Sequence, residues 1–366
     1  MTSAENSTDF LNSTTPKPHL VSYLDKQDWS TTLEVYSYHI VPILQFIGFP
    51  INLFHLFVLF HKEMRSNVVY RLMIAICLCD LISHVFTVTL YTSYLITNHR
   101  TDETICYLSF TYLEVVLELY SGLVLDITQR NSTWLALFMA LFRTLSVKFP
   151  LSSAVQYLGK SQIVIGVVLA IAIASGLITS NMFSFFTIQS YDVDTDCDGF
   201  LVDLNETRFA KVVPNDAKAG YLAFYGVYGF IKALPPFFDI ILAVFLLLEL
   251  RKVKKRRRNM NMSEDDKSNT TALILFMTVS FFILEVPNGL SQMTSALFSK
   301  NVQLHTIMFM IATLAELLPA LNSSSHVFVC YFMSSQYREI AQKMLGISKR
   351  KVTVIEVGKT STGSNS

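Results

Sequence analysis

Seven long apolar stretches alternate with short polar segments along most of the chain. Each is long enough for an α-helix to cross the hydrocarbon core of a bilayer, which takes about 20 residues. The stretches are His39–Phe60, Val69–Ile96, Gly122–Val147, Ile163–Phe186, Ala219–Leu250, Leu273–Phe298 and Leu304–Phe332. The third has the least definite start, because apolar sequence continues back to Tyr107. The pattern predicts an all-α fold, an integral membrane bundle of seven transmembrane helices, rather than a very large soluble helical core.

Composition agrees with lipid as the solvent. Of the 366 residues, 51% are hydrophobic and 16% are charged, whereas soluble domains carry about a quarter charged residues. The formal net charge of +1 provides no concentration of positive charge for phosphates, so no nucleic-acid partner is expected. The residues before Trp29 contain no short apolar core, so the first apolar helix is predicted to serve as the insertion signal.

Lysine and arginine gather in the connections on one side of the predicted bundle. Lys62, Arg65 and Arg71 follow helix one, and residues 251–258 follow helix five. After helix seven come Arg338, Lys343 and residues 349–351. Short cytoplasmic loops carry such an excess, so we expect a multi-pass protein of the plasma membrane with its N-terminus outside. The basic run 251–258 prolongs helix five and is expected to lie near anionic lipid.

These orientations divide the chain into four segments. They are an extracellular glycosylated tail (1–38), the seven-helix bundle (39–333), an amphipathic eighth helix on the membrane surface (334–346) and a disordered cytoplasmic tail (347–366). The eighth helix is predicted from apolar and basic residues at helical spacing. The last segment is rich in Ser and Thr, which favours phosphorylation.

Glycosylation triplets and cysteines fit the same orientation. Asn6, Asn12 and Asn205 begin Asn-x-Ser/Thr triplets in segments predicted to be outside. Cys106 and Cys197 are the two cysteines outside the predicted helices. The oxidising exterior favours a disulfide between them, which would tie the second outer loop to the region entering helix three; the alternative is two free thiols.

Polar residues and short motifs recur in order along the predicted helices. They are Asn52, Leu78-Cys-Asp-Leu81, Ser132-Thr-Trp-Leu-Ala136, Met139-Ala-Leu-Phe-Arg-Thr144, Pro235-Pro236, Glu249-Leu-Arg-Lys252, Phe281-Phe-Ile-Leu-Glu-Val-Pro287, Asn322-Ser-Ser-Ser-His326 and Met333-Ser-Ser-Gln-Tyr-Arg338. From about Asn52 to Leu345 the set resembles the rhodopsin-like G-protein-coupled receptors. It is most similar to the nematode serpentine receptors of class w, relatives of FMRFamide-type neuropeptide receptors.

The resemblance implies a switch that carries a ligand signal to a heterotrimeric G protein. It also implies that the basic run 251–258 contacts the G protein, anionic lipid, or both, and that a receptor kinase and arrestin act on the C-terminal tail. Arg143 would contact the G protein, and the switch residues would be Asn52, Asp80, Pro287, Asn322 and His326. For Arg143 the alternative is an interfacial arginine whose head reaches lipid phosphates. For Asn52 and Asp80 it is a structural hydrogen-bonded pair between helices.

Several positions depart from the pattern of the wider family. Phe142 and Thr144 flank Arg143 where an acidic residue and a tyrosine are usual, so the usual arginine–carboxylate lock is absent. Glu285 stands at the usual tryptophan of helix six. His326-Val-Phe-Val-Cys330 replaces the Asn-Pro-x-x-Tyr pattern of helix seven. Basal activity therefore does not follow from the family pattern.

One face of helix three is polar where lipid would penalise it, so this face is predicted to point into the bundle. Asp126, Gln129, Arg130 and Thr133 recur there at helical spacing. The first three are candidate ligand contacts; the alternative is an internal Asp126–Arg130 pair at i,i+4. Further candidate ligand contacts on helices six and seven are Glu285, Asn288, Gln292 and Glu316. For Glu285 and Glu316 the alternative is a protonated glutamate that fills a polar packing hole.

An acidic run in the second outer loop indicates the charge of the ligand. Asp192, Asp194, Asp196 and Asp198 surround Cys197, and Asp196 and Asp198 are candidate ligand contacts. Such a rim attracts cations by long-range steering, which favours a cationic, amidated neuropeptide as the extracellular ligand. The alternative for the loop is a solvated acidic segment.

Other functions remain open in the sequence. A chemosensory receptor for small molecules is the main alternative, followed by a membrane transporter that would use Asp80, Glu285 and Glu316 as an ion relay. A metal-dependent membrane hydrolase ranks third. No HExxH, GxSxG or Walker motif occurs, so we expect no enzyme, no metal and no cofactor. Histidines such as His84 are predicted to be lone helix residues.

Overall fold

A computed structural model of the chain describes residues 29–100, 111–191, 208–259 and 302–347, together with residues 279, 282–283, 286–294 and 296–298. Long helices dominate these ranges. They are α1 (Trp29–Leu59), α2 (Val68–Arg100), α3 (Tyr112–Lys148), the short α4 (Ser153–Leu158), α5 (Ser161–Phe183), α6 (Lys218–Asn259), α7 (residues 286–294), α8 (Val302–Met333) and α9 (Ser335–Met344). Strands β1 (Thr187–Tyr191) and β2 (Arg208–Val212) form an antiparallel hairpin that pairs Thr187 with Val212.

Most of the helices are longer than the apolar stretches that predicted them, whereas α5 ends at Phe183, three residues before the predicted Phe186. α3 begins at Tyr112 rather than at Gly122, because a capping box fixes its start: the backbone N–H of Glu114 donates to Thr111 Oγ1, and the Glu114 carboxylate accepts from the Thr111 N–H. α6 runs nine residues past the predicted Leu250 to Asn259, so the basic run 251–258 is helical. Hydrophobicity marks where a helix is in lipid, whereas local hydrogen bonds decide where it starts and ends.

Four helices in the described part of the chain are long and apolar enough to cross a membrane, over His39–Leu59, Val68–Thr92, Ser161–Phe183 and Lys218–Val253. On α5 the apolar residues of one face are 56–63% exposed; they are Ile165, Leu169, Ile173 and Leu177. A contiguous exposed apolar stripe of this length is typical of a surface that faces lipid. α3 is not among the four, because polar residues occupy its middle.

The bundle has two distinguishable ends. At one, here called the hairpin end, β2 packs on the start of α3 through a Lys211–Glu118 ion pair of 3.0 Å and an edge contact of Phe209 with Tyr112. At the other, the α9 end, the main hydrophobic cluster joins α1, α2, α3, α5, α8 and α9. The side chains of Leu59, Met64, Leu72 and Tyr337 are fully buried there.

α3 lies at the centre of the arrangement, in contact with α2, α5 and α6. Its buried side chains include the consecutive polar residues 130–133. α1 packs against α2 and α8. The polar side chains of α3 and α2 therefore meet those of the other helices inside the bundle, and these meetings form the candidate site.

Candidate functional site

The first polar meeting point is the junction of α3 with α6. The Arg130 guanidinium lies over the ring of Tyr228, 4.2 Å from its centroid, and Asp126 hydrogen-bonds with the same tyrosine. Gln129 is half-buried beside them. No ion pair of 4.0 Å or less joins Asp126 and Arg130 among the described residues. Both side chains turn to Tyr228 of the neighbouring helix instead.

α7 adds to this junction through very close packing against α6. A Cβ placed on Gly229 would come within 2.7 Å of the Gly289 carbonyl oxygen and 2.8 Å of Gln292 Cβ. Gln292 and Asn288 are half-buried, and Gln292 Oε1 has no hydrogen-bond partner. We call Asp126, Arg130, Tyr228 and Gln292 the junction cluster.

The second polar meeting point joins α2, α3 and α8 around Asp80. Ser132 Oγ donates to Asp80 Oδ1 at 3.0 Å, and His326 Nδ1 lies 3.5 Å from Asp80 Oδ2. Two of these residues were predicted switch positions, and Ser132 was not. A carboxylate with a serine on one oxygen and an imidazole on the other links three helices at one point.

Asn52, predicted together with Asp80, belongs to an adjoining cluster around His84. The Asn52 amide donates to His84 Nε2 at 3.0 Å, and Ser323 Oγ lies 3.2 Å from the same nitrogen. Because an amide NH2 can only donate, Nε2 is the acceptor and the proton is on Nδ1, where Gln45 Oε1 accepts it. The prediction of His84 as a lone helix residue is wrong. Its position one turn after Asp80, in an apolar helix, is the signal that was overlooked.

The α9 end contains Arg143. It lies close enough to Tyr70 of α2 and Cys330 of α8 for electrostatic interaction. Tyr70 Oη is 2.9 Å from Ser334 Oγ at the start of α9, and Tyr337 Oη is 2.7 Å from His55 Nδ1. Burial raises the pKa of the Tyr337 phenol well above its ordinary value, so the phenol is protonated at physiological pH.

The remaining predicted residues fall into two groups. Pro287 lies half-buried in α7, and Asn322 is half-buried in α8, where its Oδ1 has no hydrogen-bond partner. Glu316 belongs to α8, but its side chain is not part of what the structure describes. The residues that lie outside the described ranges are Asn6, Asn12, Cys106, Asp196, Cys197, Asp198, Asn205 and Glu285.

Besides Ser132 and His84, the functional candidates that the sequence did not reveal are a tyrosine, a serine and a carboxylate. Tyr228 and Ser323 connect helices, as described above. Asp239 of α6 is 2% exposed, and its Oδ1 has no partner. Asp239 could have been found as an acidic residue inside a long apolar stretch, whereas Tyr228 could not, because tyrosines are frequent in this chain.

A bundle of long helices with buried polar clusters on its central helix, and an apolar surface outside, is typical of a multi-pass membrane protein. The chain matches the family described as serpentine type 7TM GPCR chemoreceptor Srw over residues 38–348. It therefore belongs to that family of G-protein-coupled receptors. A comparison with curated proteins found no match.

Proposed function

We propose that the chain is a seven-span receptor that binds an extracellular ligand at the junction cluster and activates a heterotrimeric G protein at the α9 end. The observation that supports this proposal is that Arg130 and Arg143, the residues proposed for the two functions, lie on one helix. Arg130 and Arg143 are 13 positions apart on α3, which corresponds to about 20 Å along the axis. The Asp80 and His84 clusters are available to couple α3 to α1, α2 and α8.

In this proposal the hairpin end is outside and the α9 end is cytoplasmic. The distribution of Lys and Arg supports this orientation. α9 supports it as well, because Tyr337, Ile340 and Ala341 are buried on one face while Arg338 and Glu339 are exposed on the other. Such a helix suits the boundary between the bundle and the lipid headgroups.

For the ligand, a cationic, amidated peptide of the FMRFamide type is the first candidate. Its support is the acidic run Asp192–Asp198 together with Asp126, which would attract and hold a positive charge. The second candidate is a small chemosensory molecule. It is favoured by the description of the family and by the buried cation of the junction cluster.

Arg143 is the proposed contact with the G protein. The switch would act through the Asp80 and His84 clusters, in which Asn52, Asp80 and His326 join helices, and through Pro287 and Asn322. A ligand can shift such a switch only if it binds one helix arrangement more tightly than the other. The tail after residue 346 is the proposed site for a receptor kinase and arrestin.

The test is calcium release from cells that express the chain with a promiscuous G protein. The ligands are a panel of amidated peptides and a panel of small volatile and carboxylic compounds. We expect a response that Arg143→Ala abolishes at unchanged surface display, while the matched surface variant Arg338→Ala keeps it. An unchanged response of the Arg143→Ala variant would overturn the proposed coupling role.

A further inference from the structure

Arg130 has an unusual environment for a charged side chain. It is 5% exposed, and neither Nε nor Nη1 has a hydrogen-bond partner. Its identified contact is the face of the Tyr228 ring, 4.2 Å away. Asp126, the carboxylate one turn earlier on the same helix, hydrogen-bonds with Tyr228. The guanidinium is thus buried and stacked, but two of its donors are unused.

An ionised group in a low-dielectric interior is stable only when it is paired and hydrogen-bonded. A cation–π contact returns a small part of the lost hydration, and it satisfies none of the N–H donors, which lie in the plane of the guanidinium. Arginine presents these donors as a fork that matches a carboxylate in geometry and charge. The missing partner of Arg130 is therefore expected to be an anion with two oxygens.

Aromatic rings connect Arg130 to the hairpin end of the bundle. Tyr221, Tyr225 and Tyr228 stack along one face of α6, with successive ring centroids 5.6 and 6.5 Å apart. Phe185 and Phe186, just before the hairpin, contact Tyr221. The first and last of the three tyrosines are seven positions apart on the helix, about 10 Å along its axis. We call this series of rings the aromatic column.

We propose that Arg130 binds the carboxylate of the receptor's ligand, and that an aromatic or apolar body of that ligand lies along the aromatic column. This inference rests on the proposed function, because it assigns the ligand class of the same site. It selects a small organic acid over an amidated peptide, whose C-terminus carries no negative charge. The Asp126–Tyr228 contact then positions the ring on which Arg130 stacks.

The experiment compares phenylacetate with its neutral amide, phenylacetamide, on the purified full-length receptor in detergent. Thermal unfolding is followed with a thiol-reactive dye, because Cys77 and Cys330 are buried free thiols that unfolding exposes. A bound ligand raises the midpoint by mass action. We expect millimolar phenylacetate to raise it by about 2 °C or more, a shift within the usual range for such effects, and phenylacetamide to leave it unchanged.

Two variants separate recognition from structure. Arg130→Met removes the unpaired charge, so the unliganded midpoint should stay equal or rise while the phenylacetate response disappears. Lys148→Met is the matched control, because Lys148 makes an exposed cation–π contact with Phe149 at the far end of the same helix. It should keep the full phenylacetate response.

Three results would overturn the inference. They are equal effects of acid and amide on the wild type, no effect of either, and an Arg130→Met variant that still responds to phenylacetate, whatever its unliganded midpoint. The first two need no variant, so misfolding of a mutant does not spoil the test. Binding in detergent requires no G protein, so failure of the coupling proposal in the calcium assay and failure of this one are distinguishable.

Discussion

The two polar regions of the bundle are built in opposite ways. Around His84, helices α1, α2 and α8 are joined by side-chain hydrogen bonds that use both ring nitrogens, through Gln45, Asn52 and Ser323. Around Tyr228, helices α6 and α7 are joined by backbone contact between Gly229 and Gly289. Helices in lipid associate by both means, polar contacts and small residues.

The two regions differ in which of their buried polar atoms lack a hydrogen-bond partner. In the His84 cluster both imidazole nitrogens have partners, and one buried atom, the amide oxygen Asn52 Oδ1, has none. In the junction cluster Arg130 and Gln292 retain buried atoms without any. Buried polar groups are normally satisfied, and exceptions concentrate where a ligand or a moving part completes them. The first region therefore has the character of a scaffold and the second that of a binding site.

The largest effect is expected from Gly289→Ala. Its Cβ would lie 2.8 Å from Ala233 Cβ, 2.8 Å from the Gly229 oxygen and 2.9 Å from the Ala233 nitrogen. Backbone atoms cannot rotate away, so α6 and α7 must separate. We expect the free energy of unfolding to fall by about 3 kcal/mol, in the upper part of the range for overpacking. The measurements are the thermal unfolding midpoint and the surface display, and both should decrease.

Gly176→Ala on α5 is the control for that substitution, because no atom lies within 4 Å of its added Cβ. Alanine is the better helix former, so this variant should be as stable as the wild type or more so. Equal stability of Gly289→Ala and Gly176→Ala would contradict the close packing of α6 on α7.

A smaller effect is expected from Gly48→Ala in the other region. The added Cβ would lie 2.8 Å from His84 Cε1 and 2.8 Å from Ser324 Oγ, which are side-chain atoms that can shift at the cost of the hydrogen bonds of His84. We expect the free energy of unfolding to fall by about 2 kcal/mol. The thermal midpoint of the double variant with His84→Ala should show strong coupling; additive losses would mean that the ring is not the obstacle.

The next effect is that of His84→Leu, which leaves Gln45 and Asn52 without their common partner. Buried groups that lose a partner cost about 1–3 kcal/mol each in water-soluble proteins, and intramembrane pairs average less, so we expect about 1–2 kcal/mol. Thr89→Ala is the control on the same helix, since its exposed hydroxyl bonds only to Val85 O, at 2.9 Å. If both variants unfold at the wild-type temperature, the cluster is not a scaffold.

The sequence predicted the regions of the helices better than the partners of their polar residues. Long apolar stretches and the positions of Asn52, Asp80 and His326 were visible, because polar residues in lipid stand out. The sequence did not show that His84 contacts Asn52, or that Asp126 and Arg130 both contact Tyr228. Which side chains meet depends on the rotation of each helix about its axis and on its depth in the membrane. The hairpin was missed for a related reason: its pairing depends on the ends of α5 and α6, not on its own short strands.

The smallest effect is expected at the α9 end, from Tyr337→Phe. The variant loses the hydrogen bond to His55, 2.7 Å long, but keeps the buried ring, so we expect about 0.6 kcal/mol, the average for polar pairs between membrane helices. Tyr157→Phe, at an exposed position, should cost nothing. If Tyr337→Phe is equally neutral, the hydrogen bond contributes nothing to the docking of α9.

The same tyrosine predicts a pH dependence that its phenylalanine variant lacks. Burial raises the pKa of Tyr337 in the folded protein, whereas in the unfolded chain a tyrosine ionises near pH 10. The stability from the protonated phenol is thus fully present below about pH 10 and is lost as the pH rises beyond it. Unfolding midpoints between about pH 8 and pH 11 should fall more steeply for the wild type than for Tyr337→Phe. If the midpoints of the wild type and of Tyr337→Phe fall in parallel, the phenol of Tyr337 is accessible to water. The contact between α9 and α1 would then be weaker than the contacts between helices in the two polar regions.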